Sequence, residues 1–320
     1  MTKVRIGSIE LESNIILAPM ADITDVPLRQ LAKDGGAGLV YTEMSSAKAL
    51  VYGNEKTKKL TKISHEERPV AIQIFGSDVK TLETAAKVAQ DYGADIVDIN
   101  LGCPAKKIIK SGAGAKLLAN TKLVAQILSA TVKSVSIPVT IKTRTGLVPG
   151  ENIAAEIVEI AQDCGVKMVA IHARAASLVH SGEPDLISFK KACEKSKIPI
   201  FANGGIIDEK TAKNFMNIAN CSGLMIGRGA LGNYSIFKRL SSFFKDGQIL
   251  PPAPNSEKKE WFKRHVLMSV NHYGEKKGLT LVRKIVPYYI KDFPNAAKIR
   301  TEFNDISTIS EFLNLLTKIQ

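Results

Sequence analysis

The sequence predicts an α/β fold: a (β/α)₈ TIM barrel followed by a small all-helical C-terminal domain. Three observations carry this. Eight short β-branched apolar runs recur before residue 230. Longer stretches of helical periodicity lie between them. A proline-rich break then ends the alternation, and only helical patterns follow. Eight strand–helix units make a parallel sheet, and eight is the number that closes a barrel. A doubly wound open sheet is disfavoured because no Gly-x-Gly-x-x-Gly follows the first strand.

The strands are expected at 14–17, 38–41, 70–74, 96–99, 139–142, 168–171, 200–202 and 223–226. Between them, 79–92 carries apolar residues at three-to-four spacing and stops at Gly93. The stretch 121–134 stops before Ile137-Pro138, and 153–164 runs to Gly165. Asp208 is an acidic N-cap candidate for a helix over 208–218. The segment 248–256 is too rich in proline to continue a helix and reads as a linker. Beyond it, 257–273, 279–290, 295–303 and 307–318 have helical patterns punctuated by Gly274, Gly278 and Pro294. The expected organisation is a catalytic barrel over 1–247 and a helical domain over 257–320.

Of the 320 residues, 45% are hydrophobic and 23% charged, an ordinary soluble composition. No apolar run reaches the length of a membrane span. The start, Met1-Thr2-Lys3-Val4-Arg5-Ile6-Gly7, has no hydrophobic signal segment. A cytoplasmic location without membrane association is therefore expected. Cys103, Cys164, Cys193 and Cys221 are expected to stay reduced. None forms a Cys-x-x-Cys pair, so no metal site is expected. The net charge of +13 favours a polyanionic partner such as nucleic acid.

In such barrels the active site forms from residues just past each strand. Read in order, these are Pro19-Met20-Ala21, Thr42-Glu43, Gln73, Asn100 with Cys103, Lys142 with Arg144, His172 with Arg174, Asn203-Gly204-Gly205 and Gly227-Arg228. One polar strand end is a common accident, and a lone strand-end cysteine is more often packing than chemistry. Eight polar ends in succession converge on one mouth. The glycines after strands seven and eight suit a phosphate cradle, with Arg228 as a clamp. Lys142 places positive charge where an electron-accepting ring would need it. Gln73 offers a donor and an acceptor on one planar amide. His172 suits a phosphate or ring contact. Together they describe a pocket for a planar, phosphorylated cofactor, and flavin mononucleotide (FMN) fits.

Several motifs resemble tRNA-dihydrouridine synthases, most of all the bacterial B-type branch. They are Ala18-Pro-Met-Ala-Asp-Ile-Thr-Asp-Val-Pro-Leu-Arg29, Thr42-Glu-Met-Ser-Ser-Ala47, Gln73-Ile-Phe-Gly-Ser77, Asp98-Ile-Asn-Leu-Gly-Cys-Pro104 and Lys110-Ser-Gly-Ala-Gly114. Lys142-Thr-Arg144, His172-Ala-Arg174 and Met225-Ile-Gly-Arg228 follow the same pattern. In the tail, Val282-Arg-Lys284, Tyr288-Tyr-Ile-Lys291 and Ala296-Ala-Lys-Ile-Arg300 are similar too. The resemblance implies an FMN-bearing barrel and a helical tRNA-binding domain. Pro19, Met20, Gln73, Lys142, His172, Asn203, Gly205, Gly227 and Arg228 would hold FMN, with Ala21 and Gly204 beside them. Cys103 would be the catalytic acid, NADPH the reductant and uridine in tRNA the substrate. Asn100, Lys106, Lys107, Arg144, Arg174, Arg283, Lys284 and Arg300 are expected to contact that substrate, and the enzyme to act as a monomer.

The chain departs from the family pattern at four places. Gly205 stands where an aspartate is common. Ala175 and Ala176 stand where a threonine often begins the loop, and His180 where a tyrosine is frequent. The loop 173–185 lies beside the substrate in this family, so these changes bear on which uridine is read. Two alternatives use the same residues: an FMN-dependent dehydrogenase of a free pyrimidine, resembling dihydroorotate dehydrogenases, and a non-catalytic RNA-binding flavoprotein. Tyr273, Tyr288 and Tyr289 sit among the basic residues of the tail and are expected in its core.

Overall fold

The computed structural model describes residues 3–319; Met1, Thr2 and Gln320, at the outer ends of the two expected units, lie outside the described residues. Eight strands line up in parallel: β1 (Ile15–Leu17), β2 (Val40–Tyr41), β3 (Val70–Phe75), β4 (Ile96–Asn100), β5 (Val139–Arg144), β6 (Met168–His172), β7 (Ile200–Asn203) and β8 (Gly223–Ile226). Their order is β1-β8-β7-β6-β5-β4-β3-β2. The two ends of that row meet. Leu17 N–H donates to the Leu39 carbonyl and Gly38 N–H to the Ile15 carbonyl, each at 2.9 Å. These two bonds close the sheet into the expected barrel. Around it run α1 (Val26–Asp34), α2 (Val79–Asp91), α3 (Thr121–Ser134), α4 (Ile153–Asp163), α5 (Leu186–Glu194), α6 (Glu209–Ile218) and α7 (Ile236–Asp246). Asp208 caps α6 as expected, accepting from Thr211 N–H at 2.8 Å.

Side chains alternate along a strand, so every second residue faces the barrel axis. In β4, Val97 and Ile99 join the core between sheet and helices, while Ile96 joins a separate cluster inside the barrel. Asp98 and Asn100 share the inward parity of Ile96. The inner cluster also holds Tyr41, Met168, Phe201 and Met225, and Val4, Ile6 and Leu11 from an N-terminal hairpin. That hairpin, Arg5–Ile6 paired with Ile9–Glu10, reaches Pro138 and Lys167 just before β5 and β6. It therefore plugs the amino end of the barrel. Toward the carboxyl end the inward positions become polar: Gln73, Asn100, Lys142, His172 and Asn203. One end of the barrel is a packed plug and the other a polar mouth.

Five strands run further than the sequence suggests, β3 by one residue to Phe75. β4 includes Asn100, β5 reaches Arg144, β6 ends on His172 and β7 on Asn203. Polar side chains at inward positions do not interrupt the ladder, because the backbone still pairs: Asn100 lies opposite Lys142, and Arg144 opposite His172. Asn100, Lys142, Arg144, His172 and Asn203 thus stand on the last rungs of the sheet rather than in loops.

The tail comprises α8 (Asn255–Tyr273), α9 (Glu275–Val282), α10 (Val286–Ile290), α11 (Ala296–Asp305) and α12 (Ile309–Lys318). The single helix expected over 279–290 is two. Pro287 has no N–H to donate to the preceding turn, so it opens α10 instead of continuing α9. Phe262, Tyr289, Phe303 and Phe312 make the tail's aromatic core, with ring centroids 5.0–5.8 Å apart. The tail is fastened to the barrel through a buried trio. The hydroxyl of Tyr289 lies 2.8 Å from that of Tyr234, which follows β8, and 2.8 Å from Nδ1 of His265. Burial pushes His265 down to about 3, so its ring is neutral. At the surface Arg264 pairs with Asp34 of α1. Tyr289 is buried as expected; Tyr273 and Tyr288 are half-buried.

Candidate active site

Three strands carry a continuous chain of side-chain hydrogen bonds across the floor of the mouth. Thr140 of β5 donates from Oγ1 to Asp98 Oδ1 at 2.6 Å. Asp98 of β4 accepts at Oδ2 from Nε2 of Gln73, on β3, at 2.7 Å. Gln73 Oε1 accepts from Nδ2 of Asn100 at 2.9 Å. Asn100 Oδ1 then accepts from the backbone N–H of Gly102 at 3.1 Å and of Cys103 at 2.9 Å. An asparagine folded onto the backbone two and three residues ahead makes a tight turn. It lifts Cys103 off the end of β4 into the mouth, where it is half-buried.

The underside of that turn is closed by Gly114. A Cβ there would come within 2.6 Å of the Cys103 carbonyl oxygen, and its φ is +62°. Ala115 N–H donates to the same carbonyl at 3.0 Å. Only glycine meets both conditions without moving the cysteine. Arg144 buttresses the other side. It is buried and donates from Nε to the Gly102 carbonyl at 2.8 Å. Its Nη1 and Nη2 donate to the carbonyls of Ala175 and Val179, at 3.1 and 2.7 Å. Arg174 also works inward, donating from Nε to the Gly182 carbonyl at 2.8 Å. The loop after β6 is thus pinned at three points. Val179 sits in it at φ +52°, a rare conformation for a β-branched residue.

The loops after β7 and β8 face this from across the mouth. Asn203 donates from Nδ2 to the Met225 carbonyl at 2.8 Å and so ties β7 to β8. Gly204 has φ +121°, and a Cβ on it would strike the His172 ring at 2.7 Å. Among the described residues, the N–H groups of Gly204, Gly205, Gly227 and Arg228 take no part in the backbone bonding of these loops. Four free donors, two glycines at positive φ and the exposed Arg228 make a cradle suited to phosphate. Beside it, Met20 N–H is held by Thr24 Oγ1 at 3.1 Å, and Asp22 N–H by the buried Glu43 carboxylate. These bonds fix the Pro19–Asp22 stretch.

Electrostatically the mouth is positive. Burial, with Arg144 adding to it, pulls Lys142 down to about 8. Burial pulls Arg144 to about 10. Burial and then the cations Lys142, Arg144 and Arg174 drive His172 far below its ordinary value, so its ring is neutral. Its Nε2 lies 3.4 Å from Arg174 Nη1, a group that only donates, which leaves the ring proton on Nδ1. His180 stacks on His172 with centroids 5.9 Å apart. Below them burial raises Asp98 to about 6.

The barrel therefore brings together Pro19, Met20, Ala21, Gln73, Asn100, Cys103, Lys142, His172, Asn203, Gly204, Gly205, Gly227 and Arg228 at one mouth. Lys106 and Lys107 are exposed on the short helix Lys106–Lys110 just past Cys103. Three expected substrate contacts have other work. Arg144 and Arg174 are buried and bound to backbone carbonyls, and Arg283 donates to the Ile306 carbonyl at 3.2 Å within the tail. Lys284 and Arg300 are exposed there. Sequence reading missed Asp98 and Thr140, and it placed Glu43 at a strand end without its bond to Asp22 N–H. An acid in the middle of the apolar run Ile96–Ile99, at inward parity with Asn100, was the available signal for Asp98.

A positive mouth with a planar amide edge, a buried lysine, an anion cradle and a braced thiol defines a barrel enzyme of the flavin-binding kind, and the donor set fits FMN. The model of the dihydrouridine synthase family matches residues 16–320. The chain belongs to that family, whose members are FMN-dependent oxidoreductases acting on uridine in tRNA. It is 39% identical over 312 residues to tRNA-dihydrouridine synthase B of Proteus vulgaris, covering 98% of this chain and 97% of that one. It is 38% identical over 314 residues to the protein of the same name in Escherichia coli K12, with coverages of 98% and 97%. Among solved structures, histamine dehydrogenase from Rhizobium sp. 4-9 superposes with a TM-score of 0.60 at 11% identity, covering 88% of this chain and 50% of that one. The old yellow enzyme homologue of Zymomonas mobilis gives 0.55 at 11% identity, covering 80% and 98%. At such identities these two share the fold. Among the described residues no helix is long and apolar enough to cross a membrane.

Proposed function

We propose that this chain reduces the C5–C6 double bond of specific uridines in tRNA with electrons from NADPH, and that Cys103 is the catalytic acid. One observation carries the reading: the braced Cys103 turn, Lys142 and the free N–H groups after β7 and β8 open into a single mouth. Gly204, Gly205, Gly227 and Arg228 would hold the FMN phosphate, Gln73 the edge of its ring, and Lys142 the negative charge it gains on reduction. Bound there, FMN would supply the hydride, with NADPH as the source of its electrons.

The chain's own residues supply the proton. Reduction adds one hydride and one proton, and the thiol of Cys103 would give its proton to C5 from the face opposite the flavin. The turn built by Asn100, Gly114 and Arg144 holds that thiol in one place, as acid catalysis requires. The target uridine must leave its stack to reach the mouth. The exposed Lys106, Lys107, Lys284 and Arg300 would hold the surrounding RNA backbone, with 257–320 as the tRNA-binding domain. Arg144, Arg174 and Arg283 act as braces in this reading. The enzyme would work in the cytoplasm as a monomer.

Mapping dihydrouridine in tRNA from a strain lacking this gene, with and without the gene restored, tests the reading. At least one position should lose the modification and regain it. Unchanged dihydrouridine at every position would overturn it.

A further inference from the structure

Asp98 lies wholly inside the barrel, and among the described residues no lysine or arginine forms a salt bridge with it. A buried carboxylate is costly unless its oxygens are taken by donors. Here both are, by Thr140 on one side and Gln73 on the other. The consequence reaches further than the acid itself. An amide is nearly symmetrical in shape but not in polarity, and packing alone does not choose which end points where. An ionised carboxylate only accepts, so Gln73 must turn its Nε2 toward Asp98. Its Oε1 is then left facing Asn100, which must answer with Nδ2. That leaves Asn100 Oδ1 for the N–H groups of Gly102 and Cys103.

We propose that Asp98 is a positioning residue: it sets the polarity of the Gln73 amide, and through Gln73 and Asn100 it sets the turn that carries Cys103. One acceptor at the foot of the chain decides two features of the mouth. Gln73 keeps one N–H and one lone pair free for a ring edge, in a fixed order. Cys103 keeps its backbone N–H bonded and its half-buried place in the turn. The inference rests on the flavin reading of the mouth. It also accounts for the acid in the otherwise apolar run Ile96–Ile99, which none of the proposed contacts to FMN or tRNA uses.

Two variants separate polarity from charge. Asp98→Leu removes both acceptors and leaves Gln73 free to turn over. Asp98→Asn keeps an oxygen for Gln73 while its Nδ2 donates to Thr140, whose hydroxyl accepts as readily as it donates. FMN affinity of the apoprotein, the visible spectrum of the bound flavin and the alkylation rate of Cys103 are to be measured. Asp98→Leu should weaken FMN at least about tenfold, the loss of one or two hydrogen bonds, with a shifted spectrum and faster alkylation. Asp98→Asn should stay within about threefold. If Asp98→Leu does not fold, the double variant Asp98→Asn, Thr140→Val replaces it. Without the Thr140 hydroxyl, the introduced amide can present either end to Gln73, so the double loss should exceed the sum of the single ones. Wild-type affinity and spectrum in Asp98→Leu, equal losses in the Leu and Asn variants, or strict additivity in the double variant would overturn the proposal. A wild-type chain that binds no FMN would instead remove the flavin reading beneath it.

Discussion

Arg144 and Gly102 are joined by a 2.8 Å hydrogen bond from Nε to the carbonyl one residue before Cys103. The same guanidinium holds Ala175 and Val179, so one buried side chain couples the Cys103 turn to the loop after β6. That loop includes Ala175, Ala176 and His180, the positions where the motif resemblance implies a departure from the family pattern. In the proposed function, the acid and the loop beside the substrate therefore share a support.

Replacing Arg144 should loosen both loops at once. Arg144→Met leaves three carbonyls without their donor, and hydrogen bonds to charged groups contribute about 1.5–3 kcal/mol each. Turnover with tRNA should fall about tenfold or more while flavin content stays near wild type. Arg144→Lys should not rescue it, since one ammonium cannot match a planar fork reaching three carbonyls. Rescue by lysine, read in single-turnover oxidation of the reduced flavin by tRNA, would contradict this role.

Lys142 gives the mouth a pH limit. Its ordinary value is 10.5, and burial first, then Arg144, pull it down to about 8. Below that the ammonium is charged; as pH rises through about 8 the charge is lost. FMN affinity of the apoprotein should be flat below this point and weaken above it. Lys142→Met should lower the plateau and abolish the step. A wild-type titration that stays flat well past that point would show that the lysine's charge is not used.

Arg29 of α1 and Glu67 form a fully buried bidentate pair, with Nε–Oε2 at 2.6 Å and Nη2–Oε1 at 3.0 Å. Arg29 also donates to the carbonyls of Thr24 and Lys62. Glu67→Ala would leave a buried guanidinium uncompensated, a loss of about 3–5 kcal/mol. Urea unfolding of the two proteins measures it. A loss below about 1 kcal/mol, the value of a surface pair, would show that the site relaxes or admits water.

Binding of tRNA should weaken steeply as salt rises, because each lysine–phosphate contact releases counterions. Charge reversal at Lys284 and Arg300 together should flatten that slope by about two contacts and leave FMN binding intact. An unchanged slope would move the RNA to another surface.

The barrel was legible because each strand is a short apolar run ended by Gly, Pro or a polar residue, and each helix keeps its own period. The ends of the strands were less so. Asn100, Arg144, His172 and Asn203 look like loop residues by polarity, yet their inward direction lets the ladder continue through them. At the tail, helical spacing over 279–290 was real on both sides of Pro287, and the proline split it. That Cys103, Gln73, Lys142 and the two glycine loops meet at one mouth could be read from position alone. What Arg144 and Arg174 do could not, since it depends on where the Gly102, Val179 and Gly182 carbonyls point, and a sequence does not display that. Asp98 was hidden by burial: its partners lie on two neighbouring strands.

In the proposed mechanism Cys103 is the acid and nothing more. Cys103→Ala, followed through two separated half-reactions, tests that role without intermediaries. NADPH should reduce its flavin at the wild-type rate, while oxidation of that flavin by tRNA should fall by about 10²–10⁴-fold. Oxidation by tRNA at the wild-type rate, with dihydrouridine formed, would contradict the assignment.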